Sequence, residues 1–412
     1  MQISTNEFLL GSVGDLLAQQ SNVNQLNQQI ATGQTLLDAS TNPVGAGEAI
    51  GLASGINRLT YDSGNAQAAT QQIQTGLSVL QQVSTVIDQL RQAAQQGANA
   101  GNSAATSQAL AITAQSGLQQ LLQLANSQDA NGRYIFAGSK SNTAPFQTLP
   151  NGQVTFAGDA GTNILEVAPS LAVPTSISGQ SIFANIPAGE SGVSVSAAAI
   201  NSGTAYASAQ GVTDASQLTP ERLAGTQYEI AFSAGAGGTL DYTVTSGLGV
   251  PGGASFSATS STAASGSFTP GADLQFGGLD ISISGTPAAG DQFYVQPAGT
   301  SSLFQTVQDL VSALGSGSSN PQQIENAIAN LDGAQTNILS AEARLGSSLS
   351  EIQGVQTAVA TQSTSDQVQL ASLQSANLSQ VLANYSESVT ALQAAEAAFA
   401  KIQNLSLFSV IQ

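Results

Sequence analysis

The chain has 412 residues, of which 25 are acidic and 7 basic, and its formal net charge at neutral pH is −18. It contains neither Cys nor His, which excludes disulfides, the common zinc sites, thiol nucleophiles and imidazole acid–base catalysis. A chain of this charge is repelled by polyanions, so we expect no nucleic-acid partner. Its residue types offer no set of nucleophile, base and orienting group, so we expect no enzyme activity and no cofactor or metal.

The first 57 residues carry no basic side chain, since the first such residue is Arg58, and the longest early apolar cluster is Phe8-Leu9-Leu10. A cleavable secretory signal begins with positive charge and a longer apolar stretch, and a membrane-spanning helix needs about 20 apolar residues. We therefore expect no membrane insertion, and export without a cleaved signal peptide if the protein is secreted.

Composition divides the chain into two helical ends and a β-like middle. Between Pro145 and Pro297 lie 10 of the 12 prolines, and between Tyr134 and Phe304 lie 15 of the 20 aromatic residues. Proline stops helices and aromatic residues favour strands. The prediction is a mainly α fold with a β insert: both chain ends form a long antiparallel coiled-coil-like helical bundle, and one or more β-rich domains are inserted in the middle.

Apolar residues at the N-terminal end follow 4-3 spacing, with Gln20 and Asn27 at intervening positions of the same helix face. These residues are Leu9, Val13, Leu16, Val23 and Ile30. The run Thr41-Asn42-Pro43 then predicts a break, with Asn42 capping a new helix that begins at Pro43. A further helix is expected after the loop 97–102.

The C-terminal end carries a similar apolar stripe, formed by Leu378, Leu382, Tyr385, Val389, Leu392 and Phe399. A continuous helix over 352–404 would be about 80 Å long. Glu396 falls on the projected stripe, which indicates either a register offset favouring Ala395 and Ile402 or a carboxylate exposed to a neighbouring subunit. Helices with such weak seams need neighbours, so we expect both ends to be disordered in the free monomer and to fold on assembly.

The middle of the chain contains strand patterns. Alternating Tyr228, Ile230 and Phe232 precede a Gly-rich turn and a second alternating run from Leu240 to Val244, which predicts a hairpin. A further strand is expected over Leu279–Ile283, whereas the Ser/Ala/Thr run 257–267 is interpreted as a loose loop. Asp273, Asp280 and Asp291 are spaced unlike any calcium-binding loop.

The changes in composition and the breaks between predicted elements divide the chain into four predicted regions. Residues 1–40 with 360–412 form the terminal coiled-coil helices, and residues 41–135 with 300–359 form a helical bundle. Residues 136–190 form a β-hairpin region, and residues 191–299 form a β-rich outer domain.

Several motifs resemble the flagellin superfamily of axial proteins: Ile3-Ser4-Thr5-Asn6, Ala31-Thr32-Gly33 and Ser40-Thr41-Asn42-Pro43. The run Asn131, Gly132, Arg133, Tyr134, Ile135, Phe136, Ala137, Gly138 is more specific, because with Thr143–Phe146, Val154–Asp159 and the ending Leu405–Phe408 it resembles the hook-associated members of that superfamily. The Thr-Asn before Pro43 departs from the family, in which acidic residues are common there.

The resemblance implies a structural role at the junction between the flagellar hook and filament, outside the cell. The implied partners are hook-associated protein 1, flagellin and further copies of the chain, with a flagellar export chaperone holding the C-terminal helix for type III export. Subunit packing is then expected at the two apolar stripes. Two alternatives stay open: a flagellin filament subunit, and a secreted adhesin or glycan-binding module in the 190–300 insert.

Overall fold

The computed structural model describes residues 2–35, 42–99, 101–169, 171–189, 193–214, 226–248, 256–316 and 320–408. The chain forms two compact units, one made of Met1–Asn65 and Gly354–Gln412 and the other of Ala66–Gln353. Among the described residues, no helix combines the length and the apolar character needed to cross a bilayer.

The described helices flank a β-rich middle, as the composition predicts. They are α1 (Gln2–Thr32), α2 (Pro43–Gly97), α3 (Ala104–Ala125), α4 (Leu303–Gly315), α5 (Pro321–Gln374) and α6 (Leu378–Phe408). A short π-helical turn, Gln180–Ala184, lies in the middle region. The predicted cap of α2 is confirmed, because Asn42 Oδ1 accepts a hydrogen bond from the Gly45 N–H at 3.0 Å.

The described strands are short and antiparallel. They are β1 (Phe146–Thr148), β2 (Val154–Phe156), β3 (Ile164–Ala168), β4 (Leu171–Pro174), β5 (Ile186–Pro187), β6 (Val193–Ala197), β7 (Tyr206–Val212), β8 (Thr226–Ala234), β9 (Leu240–Leu248), β10 (Ser257–Ser267), β11 (Asp273–Phe276), β12 (Leu279–Ser284), β13 (Gln292–Pro297) and β14 (Thr300–Ser301). The larger sheets have the orders β10-β9-β8-β13-β6 and β11-β12-β7.

The predicted hairpin is confirmed by the pairing of β8 with β9, in which Ile230 lies opposite Val244 and Phe232 opposite Tyr242. The two larger sheets enclose one apolar core, to which Ile230, Val244 and Phe293 contribute fully buried side chains. Alternating residues supply this core because successive strand residues point to opposite faces.

The interpretation of residues 257–267 as a loose loop is wrong, because they form strand β10. Ser257 pairs with Leu248 and Ser267 pairs with Asp241 across β9, with two irregularities between. The side chains of this edge strand lack an apolar–polar alternation, so only its backbone hydrogen bonds to β9 define it as a strand.

The helical part of the larger unit is held by apolar side chains at helical spacing. On α2, Ile73, Leu80, Ile87, Leu90 and Ala94 are each at most 1% exposed. On α5, Ile324, Leu331 and Ile338 are fully buried, and on α4 Val307 and Leu310 are fully buried. Their spacing is that of an apolar stripe on one face of each helix.

Side-chain amides join helices and loops to strands by imitating a peptide group. Gln322 of α5 accepts from the Ala207 N–H and donates to the Ala207 carbonyl, both at 2.8 Å. Asn126, at the end of α3, makes the same pair of bonds with Phe146, and Asn201 makes it with Gln292. An amide carries both a donor and an acceptor, so these contacts satisfy strand edges without a charge.

Candidate functional site

The two ends of the chain lie side by side in the smaller unit. Helices α1 and α6 are in contact, and Asn22 Nδ2 lies 3.4 Å from Ser388 Oγ. A continuous helix over 352–404 is not found, because α5 ends at Gln374 and α6 begins at Leu378.

A short clasp joins the segment after α1 to the segment between α5 and α6. The Thr35 N–H donates to the Gln374 carbonyl at 2.6 Å, and the Ala376 N–H donates to the Gly33 carbonyl at 3.0 Å. Gln34 and Ser375 form an antiparallel bridge. Backbone groups that the helices leave unpaired are therefore satisfied across the clasp.

The contact between α1 and α6 buries few side chains. Leu26, Val381 and Ser388 are each 8% exposed. Half-buried residues extend the contact along both helices at 4-3 spacing: Leu16, Gln19, Val23 and Ile30 on α1, and Tyr385, Leu392, Ala395 and Phe399 on α6. With so few buried side chains, the contact provides much less apolar burial than the α2 core.

Several large apolar residues on the same helices remain exposed. The exposed fractions are 68% for Leu10, 40% for Val13, 59% for Leu17, 46% for Leu378 and 50% for Leu382. We refer to these five residues as the outer stripe. An apolar stripe on a helix normally faces a packing partner, and none of the described residues covers this one.

The predicted packing residues thus differ in their burial. Leu16, Val23, Ile30, Tyr385, Val389, Leu392 and Phe399 are half-buried, whereas Val13, Leu378 and Leu382 belong to the outer stripe. The side chains of Leu9 and Ile402, and residues Ser40 and Thr41, lie outside the described residues. Ala395 is half-buried and Glu396 is exposed, which fits both the register offset and a carboxylate exposed to a neighbouring subunit.

Sequence reasoning missed Leu26, Val381 and Ser388. A second 4-3 series, through positions 12, 16, 19, 23, 26 and 30, shares Leu16, Val23 and Ile30 with the predicted one. This second series contains Leu26 where the predicted series contains Asn27. The apolar character of position 26 is the signal that could have identified Leu26 as a buried residue.

The turn after α3 contains the motif residues Asn131, Gly132, Arg133 and Tyr134. Asp129 Oδ1 accepts hydrogen bonds from the N–H groups of Asn131 and Arg133, at 2.8 and 2.9 Å, and Asp129 forms an ion pair with Arg133 at 3.1 Å. Burial acts to raise the Asp129 pKa, but the two backbone hydrogen bonds and the guanidinium outweigh it, so the pKa is lowered. Gly132 has φ 75°, a left-handed conformation that glycine adopts without strain.

The motif turn folds against the second motif, Val154–Asp159. The Asp159 N–H donates to the Ala137 carbonyl at 3.2 Å, and Asp159 Oδ1 accepts from the Ser139 N–H at 2.7 Å. The hydrogen bond from Ser139 lowers the pKa of Asp159. Gly138 lies between these contacts with φ 70°, so the two motifs form one structural element.

An aromatic cluster fixes this element to the helices. Phe136 is 1% exposed, and its ring packs edge-on against Phe183 at 5.3 Å between centroids. Phe146 of β1 lies 5.4 Å from Phe183 and 4.9 Å from Phe304 of α4. Edge-to-face pairs of this kind stabilise beyond their area burial.

The part of the chain that the structure describes holds no group of three or more acidic residues arranged for a metal ion. Asp291, one of the three aspartates considered in the sequence, is 1% exposed and accepts from the N–H groups of Ser202 and Ala288, both at 2.8 Å. Its carboxylate therefore ties two loops together.

The family model of the bacterial flagellin N-terminal helical region matches residues 3–141. Flagellar hook-associated protein 3 of Salmonella typhimurium is 32% identical over 152 residues, 37% of this chain and 48% of that protein. The chain spans about half the length of the hook-associated proteins that it matches in sequence.

Solved structures extend the similarity. The flagellar junction protein FlgL from Legionella pneumophila has a TM-score of 0.66 at 26% identity, covering 81% of this chain and 100% of that chain. Xanthomonas campestris FlgL has a TM-score of 0.63 at 27% identity, covering 78% and 98%. Over residues 3–141 the chain therefore matches the flagellin N-terminal helical region, and it is similar, in sequence and in fold, to flagellar hook-associated protein 3.

Proposed function

We propose that the chain is a structural subunit of the bacterial flagellum that joins the hook to the filament and has no enzyme activity. One observation carries the proposal: the paired terminal helices leave the outer stripe exposed. Burying one such Leu or Val is worth about 1.5–3 kcal/mol, so a partner that covers five of them gains substantial binding energy.

In the assembled state the terminal helices act as a coiled-coil bundle, with the outer stripe facing neighbouring subunits. Each subunit uses one surface to contact the subunit above it along the tube and a different surface to contact the subunit below it. Such a heterologous contact builds a helical tube instead of a closed dimer. The half-buried residues Leu16, Val23, Leu392 and Phe399 hold the two helices together, and Leu10, Leu17 and Leu382 contact the neighbours.

Each of the four regions predicted from the sequence is proposed to take a different place in the assembled tube. Residues 1–40 with 360–412 form the inner tube, and residues 41–135 with 300–359 form the next shell. Residues 136–190 and 191–299 face outward. The weak contact between α1 and α6 supports this division, since it suits a segment whose packing is completed by other subunits.

The partners proposed are hook-associated protein 1 on the hook side and flagellin on the filament side. A protein with this role is exported to the cell exterior without a cleaved signal peptide, by the type III route, with a chaperone at the C-terminal helix. A poorly buried α1–α6 pair suits this passage, because little structure has to unfold.

Neither alternative has an observation that favours it. The solved structures with the higher TM-scores carry the names of junction or hook-associated proteins, which supports the junction role over a filament subunit. The insert's apolar residues are used in its own core, so its aromatic side chains give no support to an adhesin.

Deletion of the gene in the source bacterium tests the proposal. We expect flagellin to be secreted into the medium as monomer, with hooks still present on the cells, and motility to return with the wild-type gene. Normal filaments in the deletion strain would contradict the junction role. Loss of hooks as well would place the protein earlier in assembly, and also contradict it.

A further inference from the structure

A cavity of about 450 Å³ lies in the larger unit beside helix α5. One wall is formed by Arg344, Leu345 and Ser348, and the opposite wall by the segment that links β4 to the π-helical turn, including Ser176 and Ile177. The volume falls within the usual range for ligand sites, about 300–1,000 Å³.

Arg344 is the one charged residue among the described residues that line this cavity. The described ion pairs involve Arg91 and Arg133, and Arg344 is in none of them although its side chain is exposed. In a chain with 25 acidic and 7 basic residues, the Arg344 guanidinium has no carboxylate partner within the described part of its own chain, so it is available to an external one.

The remaining lining residues complement an anion. Ser176 is 6% exposed and its Oγ accepts from the Asn163 N–H at 2.8 Å, which leaves the hydroxyl proton to donate to an acceptor in the cavity. Ser348 places a second hydroxyl on the same helix as Arg344. Ile177 and Leu345 add an apolar surface, suited to the methylene groups of an acidic side chain.

We propose that this cavity binds a carboxylate side chain from an adjacent copy of the chain, with Arg344 as its bidentate partner. The guanidinium fork matches a planar carboxylate, and acidic residues exceed basic ones more than threefold in every copy. The inference rests on the proposed function, because a neighbouring copy is present only in an assembled structure.

The first test uses the full-length monomer and a small probe. The chain has five arginines (Arg58, Arg91, Arg133, Arg222 and Arg344), so a ¹⁵N spectrum of the guanidinium groups resolves few signals. N-acetylglutamate α-methylamide, whose only carboxylate is on the side chain, should shift the Arg344 signal in a saturable way and leave that of the exposed Arg58 unchanged. The neutral N-acetylglutamine α-methylamide should shift neither. Equal shifts at both arginines, or none at Arg344, would overturn the proposal.

The second test measures assembly with charge-matched variants. Arg344→Gln and Ser347→Asp each change the charge by −1, and Ser347 is exposed on the same helix outside the cavity lining. Arg344→Gln should weaken self-association about tenfold or more, the scale of a hydrogen bond to a charged group, and Ser347→Asp should not. If the wild-type gene fails to restore filaments in the deletion strain, the proposed function fails, whereas wild-type self-association with no difference between the variants overturns the cavity proposal alone.

Discussion

Gly138 and Asp159 lie in direct contact, and a β-carbon at position 138 would overlap with the Asp159 backbone and carboxylate. Gly138 also has φ 70°, so it meets both a conformational and a steric requirement. Two motifs that are separate in the sequence therefore depend on each other in the fold.

Gly138→Ala should lower the free energy of unfolding by more than Gly132→Ala does. Both residues have positive φ, which costs about 1 kcal/mol for alanine, but a β-carbon at Gly132 meets nothing within 4 Å. Overlap with Asp159 should add about 1–3 kcal/mol. Urea unfolding gives the free energy of unfolding of both variants. Equal losses of that free energy would show that Asp159 moves aside without cost and would contradict the prediction.

Gln322→Leu should destabilise the larger unit by about 1–3 kcal/mol, because it leaves the buried Ala207 N–H and carbonyl without their amide partner. Gln322 is 3% exposed. Gln323→Leu, at the exposed neighbouring position of the same helix, is the matched control and should be close to neutral. Thermal unfolding of both variants is the measurement, and equal melting temperatures would contradict the role of Gln322.

Glu342→Gln should stabilise the protein near neutral pH and reduce its pH dependence. Burial raises the Glu342 pKa above its ordinary value of 4.5, and its buried Oε1 has no hydrogen-bond partner among the described residues. The folded state therefore holds the Glu342 proton more tightly than the unfolded state does. The contribution of Glu342 to the free energy of unfolding is most favourable below pH 4.5 and is lost as the pH rises through the raised pKa.

Unfolding free energies of wild type and Glu342→Gln at several pH values would show this difference. Glu351→Gln, at an exposed position of the same helix, is the control for a change of net charge. A wild-type chain whose stability relative to Glu342→Gln does not fall between pH 4.5 and 7 would show that Glu342 is not the group responsible.

Leu26→Ala and Leu17→Ala should affect different properties. Leu26 is 8% exposed in the α1–α6 contact and Leu17 is 59% exposed in the outer stripe. Leu26→Ala should weaken the α1–α6 pair that forms on assembly by about 2 kcal/mol, the lower end of the cost of a leucine-to-alanine change in a core. Leu17→Ala should leave the circular dichroism and melting of the monomer unchanged and reduce assembly with flagellar partners. Normal assembly by Leu17→Ala together with a second variant, Leu10→Ala, would argue against the outer stripe as an interface.

Amide hydrogen exchange on the free monomer should be fast along α1 and α6 and slow over residues 73–94 of α2. The reason is burial: the α1–α6 contact relies on residues such as Leu26 and Val381, which keep 8% exposure, whereas Ile73 and Leu80 are fully buried. Regions with few buried apolar contacts open at low free energy. Strong protection across 1–30 and 380–404 would show a self-sufficient pair and contradict assembly-coupled folding.

The sequence alone determined that helices flank a β-rich middle, because the signals for this division are local. Pro43 and Asn42 start a helix through their own backbone preferences, and the alternation of Tyr228, Ile230 and Phe232 identifies a strand that buries one face. The motif around Gly132 and Gly138 was identified by its resemblance to a family, and the structure adds that both glycines have positive φ.

The tertiary structure decided which surfaces meet. Two 4-3 series share Leu16, Val23 and Ile30, and only the position of α6 selects Leu26 over Asn27 as the buried neighbour. Strand β10 exists because β9 offers it a hydrogen-bonding edge, and Gln322 is buried because Ala207 needs a donor and an acceptor. These outcomes depend on residues far apart in the chain, whose contact energies do not appear in any local pattern.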